Sequence, residues 1–130
     1  GKRRRRSFAG VDQSYFEGLP AVFPGYFAAS RFSQPTLIQE ISWRPLLDAR
    51  DAQIVSHTGT GKTLSFLLPA TRHLPVRNNN NVIPISNKKD RPNTEYGGVR
   101  VLIVEPTREL AQQVHRACAP LSRLLGIKTA

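Results

Sequence analysis

Ser56-His57-Thr58-Gly59-Thr60-Gly61-Lys62-Thr63 is an almost complete phosphate-binding loop, set between a strand-like and a helix-like segment. Each residue type in it has a mechanical reason. Gly59 and Gly61 let the backbone curl until successive N–H groups point at phosphate oxygens, where a side chain would obstruct the approach. Lys62 supplies a point charge for terminal phosphates, and Thr63 offers a hydroxyl to Mg²⁺. A helix beginning here adds its unpaired N–H groups and the positive end of its dipole to the anion site. Thr58, Gly59, Thr60, Gly61, Lys62 and Thr63 are therefore the candidate nucleotide-binding residues. Lys62 and Thr63 double as the candidate catalytic groups. The general pattern begins with glycine, and this chain has Ser56 there.

The flanks have the order that such a loop requires. Ala52-Gln53-Ile54-Val55 reads as a short buried strand entering it. Leu64, Phe66, Leu67 and Leu68 give the following helix an apolar side before Pro69 and Pro75 discourage continuation. Downstream, residues 75–98 hold four consecutive asparagines, Lys88-Lys89 and several prolines, the composition of a polar, basic, solvent-facing insertion. Regular structure then returns. Val101-Leu102-Ile103-Val104 is a continuous apolar strand of the kind buried in a parallel sheet, and Glu109 to Leu125 carries helical apolar spacing through Leu110, Val114, Cys118, Leu121 and Leu125.

Upstream of the loop, residues 1–14 form a basic extension without periodicity, followed by a dense aromatic stretch from Tyr15 to Phe32. Pro24 and Gly25 divide that stretch and leave a short helix over Tyr26 to Arg31. Thr36 can cap a second helix, with Glu40 near its first turn and Ile38, Ile41, Leu46 and Leu47 as its apolar side; Pro45 should kink it. Trp43 reads as a packing residue. The β-α-β-α order predicts an α/β fold, a parallel sheet flanked by helices, with the loop at the carboxyl end of a strand.

Composition narrows the partners. The 130 residues suffice for one modest core, fewer strands than phosphoryl chemistry on such sheets uses, so the chain reads as part of a larger domain. Nineteen Lys/Arg against nine Asp/Glu give a net charge of +10, of which Lys2 to Arg6 contribute five charges, and this favours polyanions such as RNA. A lone Cys118 excludes an intramolecular disulfide and fits a reducing, intracellular location. No apolar run reaches the length of a membrane span. The Arg-rich start is compatible with nuclear or nucleolar targeting or with a mitochondrial presequence. His73 and His115 have no metal-ligand partners at useful spacing.

Three segments in fixed order carry a family resemblance: Phe32-Ser33-Gln34-Pro35-Thr36-Leu37-Ile38-Gln39, the loop Ser56 to Thr63, and Pro106-Thr107-Arg108-Glu109-Leu110-Ala111-Gln112-Gln113. Together they resemble the glutamine motif, motif I and motif Ia in the first RecA-like domain of the DEAD-box RNA helicases. The likeness covers about residues 15 to 130 apart from the insertion. It implies a partial RecA-like P-loop NTPase domain that binds ATP and Mg²⁺, with RNA as the polymer. Gln39 would read the adenine edge, since an amide both donates and accepts, and Phe16 would stack on the base, with Tyr15 and Phe23 as alternatives. Pro106, Thr107 and Arg108 would grip the RNA backbone without reading sequence.

The chain departs from the family's form at Arg31 and Ala49, where glycine is usual, at Ser56, where alanine is usual, and at Glu105, where a small apolar residue is usual. None removes a phosphate ligand. The implied function is the amino-terminal part of an ATP-dependent RNA helicase that remodels RNA or ribonucleoprotein, as in ribosome assembly. The acidic motif, the coupling motif and the second domain do not occur in these residues, so this segment alone is not expected to hydrolyse ATP. A helicase-like scaffold docked in a ribonucleoprotein is the alternative, and a DNA helicase of the same loop class fits the other two segments less well. Deleting Lys2 to Arg6 is expected to lower the salt dependence of RNA binding, measured as the slope of affinity against salt; an unchanged slope would make the extension a targeting or docking element.

Overall fold

The structure, a computed structural model, describes residues 10–74, 77–78, 81–82 and 99–130. The expectations for Lys2 to Arg6 and for most of the insertion fall outside those residues. After a 3₁₀ turn at Gln13–Phe16 come helices α1 (Val22–Ser30), α2 (Leu37–Leu47) and α3 (Lys62–Ala70). Two short strands, β1 (Arg77–Asn78) and β2 (Asn81–Val82), pair antiparallel with Arg77 opposite Val82. Helices α4 (Arg108–Ala117) and α5 (Ala119–Leu125) follow.

Local chemistry explains most of these boundaries. Helix α1 begins earlier than the expected Tyr26, because Pro24 lies in its first turn, where a missing N–H has no intrahelical partner to lose. Helix α2 starts after Thr36, carries Glu40 in its first turn and runs only two residues past Pro45. Helix α3 starts at Lys62, as the loop requires, and closes with Pro69 in its last turn. Thr107 caps α4 by accepting the Leu110 N–H at 3.2 Å. The expected helix over Glu109 to Leu125 is two helices meeting at Cys118, with Pro120 in the first turn of α5.

Aromatic and aliphatic side chains form one core. Phe23 packs edge-on to Trp43 at 4.9 Å between ring centres, and Phe27 does so at 5.9 Å. Leu64, Leu67 and Leu68 of α3 are buried, as are Val114, Cys118, Leu121 and Leu125 of the last two helices. Helix α2 packs on α3, and α1 packs on α5. Trp43 is a packing residue with a polar anchor: its Nε1–H donates to the Leu64 carbonyl at 3.0 Å. The apolar side expected for α2 is corrected. Ile41 is 60% exposed, and the buried side is made by Gln39, Ser42 and Trp43.

The expected parallel sheet is not formed among the described residues. Ala52–Val55 and Val101–Val104 adopt neither helix nor strand, and Val55, Val99, Leu102 and Val104 are each more than three-quarters exposed. A strand exists only through hydrogen bonds to a neighbour, so apolar sequence alone does not make one. Among the described residues no helix is long and apolar enough to cross a membrane.

Tyr26 ties the two ends of the helical layer together. Its hydroxyl donates to the Ala117 carbonyl at 2.7 Å, and burial raises its pKa above the ordinary 10.0. The unfolded chain therefore gives up this proton first as pH rises. The stabilisation is fully present below the ordinary tyrosine value and is lost as pH climbs through the raised one. Tyr26→Phe is expected to cost about 1 kcal/mol at neutral pH and to flatten the alkaline fall of stability in urea unfolding; an unchanged midpoint would show the bond to be energetically idle.

Candidate functional site

The loop is fixed to the rest of the chain by one buried amide. Gln39 is 4% exposed. Its Oε1 accepts the Thr36 N–H at 3.0 Å, half of a capping box on α2. Its Nε2 donates to the Gly61 carbonyl at 3.0 Å. An amide side chain offers two N–H groups and two lone pairs, so one of each remains for a ligand.

Glycine is required at Gly61 twice over. Its φ of 89° lies in the left-handed region, and a Cβ there would collide with Gln39 Nε2. Gly59 also has a positive φ, 79°, but open space around its Cα. These two left-handed residues turn the chain into α3, whose first residue is Lys62. The glycine turn therefore leads directly into the N-terminus of α3.

Within the loop, the side chains of Ser56, Thr60 and Lys62 are bonded to the loop itself. Lys62 Nζ donates to the Ser56 carbonyl at 2.5 Å and to the His57 carbonyl at 2.7 Å. Thr60 Oγ1 donates to the His57 carbonyl at 2.7 Å and lies 2.6 Å from Ser56 Oγ. Thr58 is exposed, while Thr63 is half-buried on the wall of a cavity of about 370 Å³.

That cavity joins elements far apart in sequence. Gly59, Gly61 and Thr63 border it from the loop, Thr36 and Gln39 from α2, Tyr26 and Phe27 from α1, and Gln113 and Ala117 from α4. Phe32, Gln34 and Leu64 complete it. Phe32 is half exposed, and with Gln113 it is a site residue that the sequence reading did not single out. Each lies at the edge of a segment that carries the family resemblance, Phe32 opening the one that ends in Gln39 and Gln113 closing the one that starts at Pro106.

Phe16 sits elsewhere. It is 4% exposed, edge-on to Phe27 at 5.1 Å and tilted against Trp43 at 6.1 Å. Its ring is enclosed by the aromatic core and does not border the cavity. Phe23 is fully buried, and Tyr15 is 37% exposed with its hydroxyl donating to Gln34 Oε1 at 3.4 Å. Pro106, Thr107 and Arg108 are exposed at the start of α4. Thr107 Oγ1 accepts a cap bond but keeps its own proton free to donate. Arg108 extends from the first turn.

Comparison with known proteins gives a consistent picture. A family profile described as DEAD/DEAH box helicase matches residues 36–130. The probable ATP-dependent RNA helicase ddx5 of Dictyostelium discoideum is 35% identical over 113 residues, which is 87% of this chain and 16% of that protein. The ATP-dependent RNA helicase dbp-3 of Neurospora crassa is 41% identical over 101 residues, 78% of this chain and 15% of that protein. The pre-mRNA-processing ATP-dependent RNA helicase PRP5 of Mycosarcoma maydis is 35% identical over 113 residues, 87% of this chain and 9% of that protein. The chain thus spans less than a fifth of the length of these relatives. No solved structure matches.

Gln39→Ala would leave the Thr36 N–H without its side-chain partner and remove the 3.0 Å donor to the Gly61 carbonyl, which keeps the longer 3.5 Å bond from Ser65 Oγ, so it is expected to lower stability by about 2 kcal/mol before any ligand is added. Urea unfolding measures this; a loss under about 0.5 kcal/mol, the floor for a typical hydrogen bond, would mean that water replaces both bonds.

Proposed function

The chain belongs to the DEAD/DEAH box helicase family, and from that premise we propose that it is the ATP- and RNA-binding part of an ATP-dependent RNA helicase. The observation that carries this reading is the Gln39–Gly61 bond, which makes the glutamine motif and the phosphate loop one structural unit. A glycine turn followed by an unrelated helix would have no use for a buried amide reaching across twenty-two residues.

The residues present fit a nucleotide. Gly59 has open space where a phosphate must approach, and the N–H groups of the loop and of the first turn of α3 supply the donors. Lys62 would hold the terminal phosphates, on exchanging its two carbonyl partners for phosphate oxygens. Thr63, half-buried on the cavity wall, would offer its hydroxyl to Mg²⁺. When bound, ATP with Mg²⁺ supplies the phosphoryl group whose transfer to water drives the work of the full-length protein. Gln39 would use its remaining N–H and lone pair on the adenine edge. Stacking by Phe16 would require the aromatic core to open, whereas Phe32 already faces the cavity.

Thr107, Arg108 and the N-terminal amides of α4 would hold the RNA backbone, contacts that position a strand without reading its bases. Arg108 is exposed and able to reach phosphate as a fork. In the whole protein, Ala52–Val55 and Val101–Val104 would enter the parallel sheet of a RecA-like domain, placing both ligand sites at the strand ends. Remodelling of ribonucleoprotein, ribosome assembly among its settings, is the activity that this arrangement serves.

The test is RNA-stimulated ATP hydrolysis by the full-length protein. Lys62→Ala is expected to lower turnover at least about 10²-fold, the cost typical of removing one group that stabilises transition-state charge. Equal turnover in both proteins would overturn the catalytic assignment of Lys62, and no turnover in either would favour the scaffold.

A further inference from the structure

Ser56 stands where the general loop pattern has glycine, and its hydroxyl is engaged. Ser56 Oγ lies 2.6 Å from Thr60 Oγ1, and Thr60 Oγ1 donates to the His57 carbonyl at 2.7 Å. A threonine hydroxyl has one proton and a carbonyl can only accept. The Thr60 proton is therefore committed to His57, and Ser56 must be the donor in the first bond. The result is a directional relay, Ser56 O–H to Thr60 O–H to His57 C=O, in which each bond polarises the next.

The relay ends on the atom that also holds the lysine. The His57 carbonyl accepts from Lys62 Nζ at 2.7 Å, and the Ser56 carbonyl accepts from the same ammonium at 2.5 Å. Two of the three ammonium protons are thus held by the loop's own backbone. Ser56 takes part at both ends: its side chain starts the relay, and its carbonyl closes the ring.

We propose that Ser56 is a latch, a positioning residue that holds the loop in this self-bonded form. A nucleoside triphosphate must break the Ser56–Thr60 bond and recover Lys62 before the loop can wrap its phosphates. The proposal rests on the nucleotide-site reading of the loop. Only the open form binds, so apparent affinity is the intrinsic affinity reduced by the fraction of loop that is open. Glycine or alanine at this position has no hydroxyl to donate, and the relay then loses its first member. The worth of one such hydrogen bond corresponds to about a two- to tenfold change in that fraction.

The experiment measures equilibrium binding of a fluorescent ATP analogue together with hydrogen exchange of the amides of residues 57–61. Ser56→Ala is expected to bind about two- to tenfold more tightly than the wild type and to exchange its loop amides faster before nucleotide is added. Ser56→Thr, which keeps a hydroxyl, is expected to restore both properties. Thr60→Val, which keeps the side-chain shape but removes the middle hydroxyl, is expected to reproduce the faster exchange. Ser56→Gly serves as the second deletion if the alanine variant fails to fold. Unchanged or weaker binding by Ser56→Ala, or unchanged exchange, overturns the latch. A wild-type chain that binds no analogue, or that binds it no better than Lys62→Ala, overturns the nucleotide-site reading instead.

Discussion

Helix α2 holds the phosphate loop through side chains that seek backbone carbonyls. Gln39 donates to Gly61 and Trp43 donates to Leu64. The donors are four residues apart on one helix and the acceptors three apart on the next, so one side of α2 is matched to the start of α3 by the helical repeat of both. Buried polar groups of this kind are costly when unpaired, which makes the pairing a constraint on register. The positive φ of Gly61, the start of α3 at Lys62 and the position of Thr63 on the cavity wall all follow from it.

What the sequence made legible was chemistry with a local cause. The glycine turn, the start of α3 behind it and the cap at Thr36 depend on a few neighbouring residues, and the structure has each at its expected place. What stayed hidden depends on distant neighbours. Apolar spacing placed Ile41 inside α2, but the pull of Gly61 and Leu64 turned Gln39 and Trp43 inward and left Ile41 in water. Phe16 was read as a base-stacking ring, yet Phe27 and Trp43 enclose it. The two apolar segments read as strands lack the partner ladders that alone would define them.

Two of the departures from the family's usual residues, Arg31 and Ala49, fall where the backbone is left-handed. Arg31 has a φ of 60° and Ala49 a φ of 59°, the left-handed conformation that a glycine takes freely at the end of a helix. Each follows a helix, α1 and α2 respectively, and each bears a side chain where none is preferred, at a cost of about 1 kcal/mol. Neighbouring bonds hold the strained positions in place: the Phe32 N–H donates to the Phe27 carbonyl at 3.0 Å, and the Ala49 N–H donates to the Leu46 carbonyl at 3.1 Å. Both positions thus adopt, with a side chain, a geometry that glycine would make easy.

The exposure of Val55, Val99, Leu102 and Val104 has a colloidal consequence. Chains with β-prone apolar segments in water attract one another through them, and a net charge of +10 supplies the opposing long-range repulsion. Salt at 0.1 M screens that repulsion beyond about 10 Å, while the apolar attraction is untouched. The segment therefore sits between two pressures, with dilute buffer keeping it dispersed and a polyanion or salt drawing copies together.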